Sequence, residues 1–279
     1  MKQDLMAFLT GGPAPLRWLI LESLPYVEKI ASLYPQAHLT VVTEIEEAAG
    51  LPEFAGRNIQ WFFMDYRREK LPFPSRNFDA VLAEDLLTKA YAPYDLLMDI
   101  NRKLTDVGVL YGDFFNVRYT GVLEALQQGE FPVREKHLYA KSEVVRLLDD
   151  TLFKEIDFIP GVCDEEHEEE QRWENAGYVN INHELSVRRY LFRAAVSTAA
   201  VANLKGIYSP EVRKELARLL HRIEYDVQRE ENIRCLQELC QREGIFSEYL
   251  GDFIRESCYH AAETADFVGV CLSGENKRG

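Results

Sequence analysis

The chain has 279 residues, 47% hydrophobic and 28% charged, with a formal net charge of −14. That length and composition suit one full-sized domain with a smaller one appended, folded throughout. The acidic balance excludes a broad electrostatic footprint on phosphate backbones or anionic lipid, the N-terminal apolar run is too short for a signal-peptide core, and no segment reaches the length of a membrane span; the expectation is a cytoplasmic protein with no nucleic-acid or membrane partner.

In chain order, "RWLIL" (17–21) reads as a first strand and a helix follows it through Ile30. "HLTVVTE" (38–44), "IQWFFMD" (59–65) and "FDAVLAE" (78–84) read as three more strands, "YDLLMDINRKL" (94–104) as a helix and "GVLYGDFF" (108–115) as a fifth strand. Helix "KSEVVRLLDD" (141–150) and strand "FKEIDFIP" (153–160) complete six strands by Pro160. Short runs rich in Val, Ile, Leu and Phe, alternating with helices, predict a mostly parallel sheet covered on both faces, an α/β fold.

Next comes "CDEEHEEEQRWEN" (163–175), in which Cys163, Asp164, His167 and several glutamates could be assembled into a metal site. A run of like charges is more often a solvated loop, and no metal is expected. "GYVNINHELSVRRYLFRAAV" (177–196) reads as one more strand running into a helix. The five cysteines, at 163, 235, 240, 258 and 271, have neither paired nor zinc-ligand spacing and read as reduced thiols.

The pattern changes near Ala195, which divides the chain into an α/β domain over 1–195 and a helical subdomain over 196–279. Ser209 is an N-cap candidate with Pro210 at the first helical position, and Val212, Leu216, Leu219 and Ile223 form one apolar stripe on a helix reaching Gln228. Phe246, Leu250 and Phe253 are candidates to cover it, within one chain as a bundle or across two copies as a homodimer.

"FFMDYRREKLPFPSRNFDAVLAEDLL" (62–87) and "PYDLLMDINRKLTDVGVLYGDFFN" (93–116) resemble class I S-adenosylmethionine-dependent methyltransferases in the order and spacing of their pieces. The resemblance covers roughly residues 15 to 160 and implies a Rossmann-like methyltransferase fold with S-adenosylmethionine as cofactor. It assigns Glu44 to the ribose hydroxyls, Ile45 to the adenine face and Asp65 to the adenine amino group, with Tyr66 beside it. Glu84 and Asp85 would line the methyl-donor and substrate cavity, and Glu22 keeps the acidic position after the first strand. Acids at strand ends are also common because strands end at solvent; it is their joint placement that matches the family.

Two departures stand out. The family's glycine-rich turn after the first strand lets backbone approach the cofactor, but here Ser23, Leu24, Pro25 and Tyr26 fill it, with Ser23 placed to cap the next helix and Pro25 in its first turn. The usual proline-glycine turn before the fifth strand has become Asp106, Val107, Gly108. Segments 123–158 and 177–196 further resemble, more loosely, methyltransferase domains that accompany bacterial sugar-transferase machinery, which implies a sugar-like or other small-molecule acceptor. Asp113, Tyr111, Asn116, Arg118, Tyr119 and His137 are candidates for the chemistry, and none is assigned. Two functions stay open: methyl transfer to a small molecule, or a non-catalytic descendant that uses the fold for binding or as a scaffold.

Overall fold

The computed structural model describes residues 2–131, 137–164, 168–198 and 207–273. Seven strands lie in one sheet: β1 (Arg17–Leu21), β2 (His38–Thr43), β3 (Ile59–Phe63), β4 (Phe78–Ala83), β5 (Leu104–Phe115), β6 (Glu155–Cys163) and β7 (Val187–Ala195). Their order is β3-β2-β1-β4-β5-β7-β6. β7 is antiparallel to both its neighbours, and every other pairing is parallel.

Alternation along the strands builds two apolar layers, because successive side chains point to opposite faces. Leu19, Leu21, Val81, Ala83, Leu110 and Phe114 face one layer, covered by α3 (Pro93–Lys103) and α5 (Lys141–Asp150) through Leu97, Ile100, Val144 and Leu148. Trp18, Ile20, Val41, Leu82 and Tyr111 face the other, covered by α1 (Leu24–Leu33) through Tyr26, Val27 and Ile30. The remaining helices of this unit are α2 (Leu86–Lys89), α4 (Thr120–Gln127) and α6 (Glu168–Asn175).

Three expectations need correction. The charge-dense segment is a helix from Glu168 to Asn175 rather than a loop. Its Trp173 is buried with Leu123 and Leu185, and its Glu170 is buried and accepts from Asn180 Nδ2 at 2.7 Å, so one face packs despite the charge. The seventh strand occupies Val187–Ala195, where a helix was expected, and residues 181–186 before it form a short 3-10 helix; β7 is buried between β5 and β6, which explains its apolar run. β5 already starts at Leu104, so Asp106–Gly108 lie within a strand whose register with β4 shifts between Phe78 and Ala80. His167 lies outside the described residues.

The described residues form two compact units, one up to Thr198 and the other from residue 207 onward. The second unit has its own core, formed by α7 (Pro210–Glu224), α8 (Arg229–Glu243), α9 (Ser247–Ser257) and α10 (Ala261–Ser273). Ser209 caps α7, its hydroxyl accepting from Val212 N at 3.3 Å. Leu216, Leu219, Leu220 and Ile223 are buried against Leu250 and Ile254, with Val212 and Phe253 partly buried. Phe246 does not take the covering role expected of it: it is 47% exposed, and Tyr249, 1% exposed, fills the core. Among the described residues no helix is long and apolar enough to cross a membrane, and no two cysteines are joined as a disulfide.

Candidate cofactor site

β1 lies between β2 and β4, so the chain leaves the sheet in opposite directions there. In an open parallel sheet the crevice outside the carboxyl ends of the strands at such a switch point is where ligands bind. The turn after β1 is therefore the first place to look. Glu22 sits there in the left-handed region, φ 50°, a conformation that glycine adopts at least cost. Its carboxylate accepts from Glu44 N at 2.5 Å and from Thr43 Oγ1 at 3.3 Å, tying the end of β1 to the end of β2.

Ser23 is buried, and its hydroxyl does not cap α1 as expected. It donates to Leu21 O at 2.7 Å and accepts from Glu84 N at 2.8 Å, so it ties the end of β1 to the end of β4 across the switch point. α1 starts at Leu24 with Pro25 in its first turn, as the sequence predicts. Tyr26 donates to Glu84 Oε1 at 3.2 Å. Burial first, and then the nearby Glu84 charge, pushes this phenol above its ordinary range.

Beyond β2 and β3, Glu44, Ile45, Asp65 and Tyr66 occupy neighbouring turns. Ile45 is 47% exposed, whereas Tyr66 is buried in the apolar layer. Asp65 shapes its own turn by accepting from Arg67 N at 3.1 Å. The same carboxylate takes Arg67 Nε at 2.7 Å and lies 3.2 Å from Arg68 Nε, while Arg67 Nη2 reaches Glu44 Oε2. Partial burial works against the Asp65 charge, but the hydrogen bonds and charge of Arg67 outweigh it and hold the carboxyl below its ordinary range. A cleft of about 510 Å³ opens beside this turn, between residues 66–70 and α3, with Tyr66, Arg67, Tyr94 and Arg102 among its walls.

At the end of β4, Glu84 and Asp85 meet Arg189 of β7. Arg189 lies 3.4 Å from Glu84 Oε1, 2.5 Å from Asp85 Oδ1 and 3.0 Å from Asp113 Oδ2. Lys89 takes the other Asp85 oxygen at 2.5 Å. Asp85, like Glu22, is left-handed, φ 58°. Two non-glycine residues in that region flank the crevice, each at a cost of about 1–2 kcal/mol.

The other candidates for the chemistry are held by structural contacts. Tyr111 is buried and stacked on Trp18 at 5.9 Å. Asn116 is buried and its amide donates to Glu184 O and Val187 O, both at 2.9 Å. Arg118 pairs with Glu184 at 2.8 Å, and Tyr119 donates to Asp164 at 2.5 Å. The His137 ring lies 6.0 Å from that of Tyr139, and its backbone N donates to Thr88 O at 3.3 Å. Among the described residues no group of three or more His, Cys, Asp and Glu side chains is arranged to hold a metal ion.

Arg67 and Arg189 were missed by the sequence reading. "MDYRREK" does place two arginines directly after an acid at a strand end, which is a legible signal. Arg189 carried none, because its segment was expected to turn helical.

The strand order, with β7 inserted antiparallel between β5 and β6, decides the architecture. The chain has a Rossmann-like methyltransferase fold. No protein-family model and no curated protein matches it. Among solved structures it is similar to an S-adenosylmethionine-dependent methyltransferase from Mesorhizobium loti, with 15% identity over 68% of this chain and 95% of that one, TM-score 0.48. A methyltransferase of the same cofactor class from Archaeoglobus fulgidus shares 13% identity over 68% and 90% of the two chains, TM-score 0.49. One from Thermotoga maritima shares 13% over 69% and 86%, TM-score 0.46.

Proposed function

We propose that the protein binds S-adenosylmethionine at the β1/β4 switch point and transfers its methyl group to a small-molecule or sugar-like acceptor. The observation that supports this reading is the convergence of Glu22, Glu44, Asp65 and Glu84 on the carboxyl ends of four adjacent parallel strands. Glu44 would take the ribose hydroxyls and Asp65 the adenine amino group, with Ile45 against the ring; Glu22 and Glu84 would face the methionine half. The nucleoside half fits in placement and chemistry, since Glu44 and Ile45 are exposed and the group covering the two acids is a single arginine side chain. The bound cofactor would supply an electrophilic methyl group. The residues of this chain would orient the acceptor in line with it, which is the larger part of catalysis when reactants are merely brought together.

The methionine half is narrower, and this supports a second reading. Ser23 and Tyr26 both bond to Glu84, so the space that glycines would leave open is crossed by this chain's own hydrogen bonds. On that reading the fold serves as a non-catalytic binding or scaffold subunit. Calorimetric titration with S-adenosylmethionine and with S-adenosylhomocysteine separates the two. Binding by either favours the enzyme. If neither binds at millimolar concentration, an affinity of only about −4 kcal/mol, the cofactor reading falls and the scaffold reading stands.

A further inference from the structure

An aspartate in the middle of a sheet covered on both faces is costly, because burial of an unmatched carboxylate disfavours its charge. Asp113 is such a residue. It lies in β5, its exposure is 0%, and neither carboxylate oxygen has a well-aligned hydrogen bond among the described residues, the backbone N–H of Asp85 being the one nearby donor besides Arg189. What it has is an ion pair: Arg189 Nη1 approaches Oδ2 at 3.0 Å without hydrogen-bond alignment. The same guanidinium contacts Glu84 and Asp85 at the end of β4.

The charges facing this cluster can be followed element by element. The end of β4 gives Glu84 and Asp85, β5 gives Asp113, β7 gives Arg189, α2 gives Lys89 on Asp85, and α1 gives the neutral Tyr26 hydroxyl on Glu84. With all carboxylates ionised there are three negative charges against two positive ones. Asp113 cannot draw a counterion from solvent, so it draws Arg189, and the surplus negative charge falls on Glu84, the most exposed of the three acids. With Asp113 protonated the cluster is balanced. Burial, opposed by Arg189 and by the Asp85 backbone N–H and reinforced by the Asp85 and Glu84 charges, raises the Asp113 carboxyl to about 7, within reach of ordinary buffers.

We infer that Asp113 is a positioning residue: by holding Arg189 it sets the negative charge that Glu84 presents to the crevice, and with it the preference of the crevice for a sulfonium over a thioether. The inference rests on the proposed function, since it takes the crevice to be the cofactor site. S-adenosylmethionine and S-adenosylhomocysteine differ there by one methyl group and one positive charge, so the ratio of their affinities reads the local field. Raising the pH ionises Asp113 and should favour the sulfonium.

The test is calorimetric titration of the full chain with each ligand at pH 6 and pH 8, for the wild type and Asp113→Asn. The wild-type ratio of S-adenosylmethionine to S-adenosylhomocysteine affinity is expected to rise on the order of fivefold between the two pH values. In Asp113→Asn it should be flat. A wild-type ratio that does not change with pH overturns the inference even if the variant fails to fold, and so does an Asp113→Asn ratio that still rises. Absence of binding by both ligands overturns the cofactor reading and the inference together, whereas binding with an unchanged ratio overturns the inference alone.

Discussion

Arg67 Nε lies 2.7 Å from Asp65 Oδ1, and the same guanidinium reaches Glu44. The two acids that the sequence resemblance assigns to the adenine and the ribose are thus joined by one side chain of the protein itself. A nucleoside that uses both must displace that side chain. The pair with Glu44 is partly exposed, where ion pairs contribute about 0–1 kcal/mol, so displacement is affordable. Arg67→Ala is therefore expected to raise affinity for S-adenosylhomocysteine by roughly fivefold, the equivalent of about 1 kcal/mol. Weaker binding in this variant would mean that Arg67 itself contacts the ligand.

The acids should respond in the opposite direction. Glu44→Ala and Asp65→Ala each remove a charged acceptor, and such hydrogen bonds contribute about 1.5–3 kcal/mol, so affinity should fall by roughly ten- to a hundredfold. The two differ in a second measurement. Asp65 also accepts from Arg67 N within its own turn, so its removal should lower the melting temperature, whereas Glu44→Ala should leave it unchanged. Equal affinity in the wild type and both variants would remove these residues from the site.

These residues also mark how far the sequence could be read. The nearly continuous apolar runs of β1, β2 and β4 and the acids following β1 to β4 were legible, because a parallel sheet covered on both faces buries each strand along its length and ends it at solvent. Ser23 was legible as the residue before a helix start, where a cap was expected, but not as a bridge: its bond to Glu84 N spans 61 positions, and no local pattern encodes it. Arg189 was hidden for the same reason, since Asp113 comes from β5, its neighbour only through the inserted position of β7, and Glu84 and Asp85 come from the end of β4, one strand further. The helix over 168–175 was misread because a buried tryptophan and a buried, hydrogen-bonded Glu170 seat one face of a run that composition alone marks as solvated. In the second unit the stripe of α7 was legible, while its partner Tyr249 lies three positions from the aromatic residue expected to cover it.

Leu152 offers a test of backbone strain away from the site. It lies between α5 and β6 at φ 71° and is 51% exposed, so it takes a left-handed conformation and gains little from packing. That conformation costs a side chain about 1–2 kcal/mol, and glycine returns part of the gain through the greater freedom of its unfolded chain, about 0.5–1 kcal/mol. Leu152→Gly should accordingly be more stable than the wild type by about 0.5 kcal/mol. Leu152→Val, with a β-branched side chain at the same φ, should be less stable. Thermal unfolding of the two variants beside the wild type measures both, and a destabilised glycine variant would mean that the Leu152 side chain packs more than its exposure implies.

The burial of Asp113 makes a prediction about stability that needs no ligand. Its carboxyl is raised from the ordinary aspartate value of 3.8 to about 7, so the folded protein holds this proton more tightly than the unfolded chain does. Below pH 4 the group is protonated in both states and adds no penalty. As pH rises from about 4 to 7 the unfolded chain releases the proton first, and the contribution of Asp113 to stability falls; above 7 both states are ionised and the loss is complete. At about 1.36 kcal/mol per pH unit the ceiling of that loss is roughly 4 kcal/mol, reduced by whatever rearrangement lets Arg189 meet the charge. Asp65, whose carboxyl is lowered, acts in the opposite sense, stabilising above its unfolded value and losing that contribution as pH falls. Wild-type protein alone therefore shows only the sum. The difference in melting temperature between Asp113→Asn and the wild type isolates the one group: it should grow in favour of the asparagine variant as pH rises from 4 to 7 and then level off. A difference that is constant across this range would place Asp113 ionised throughout, with Arg189 as its full counterion.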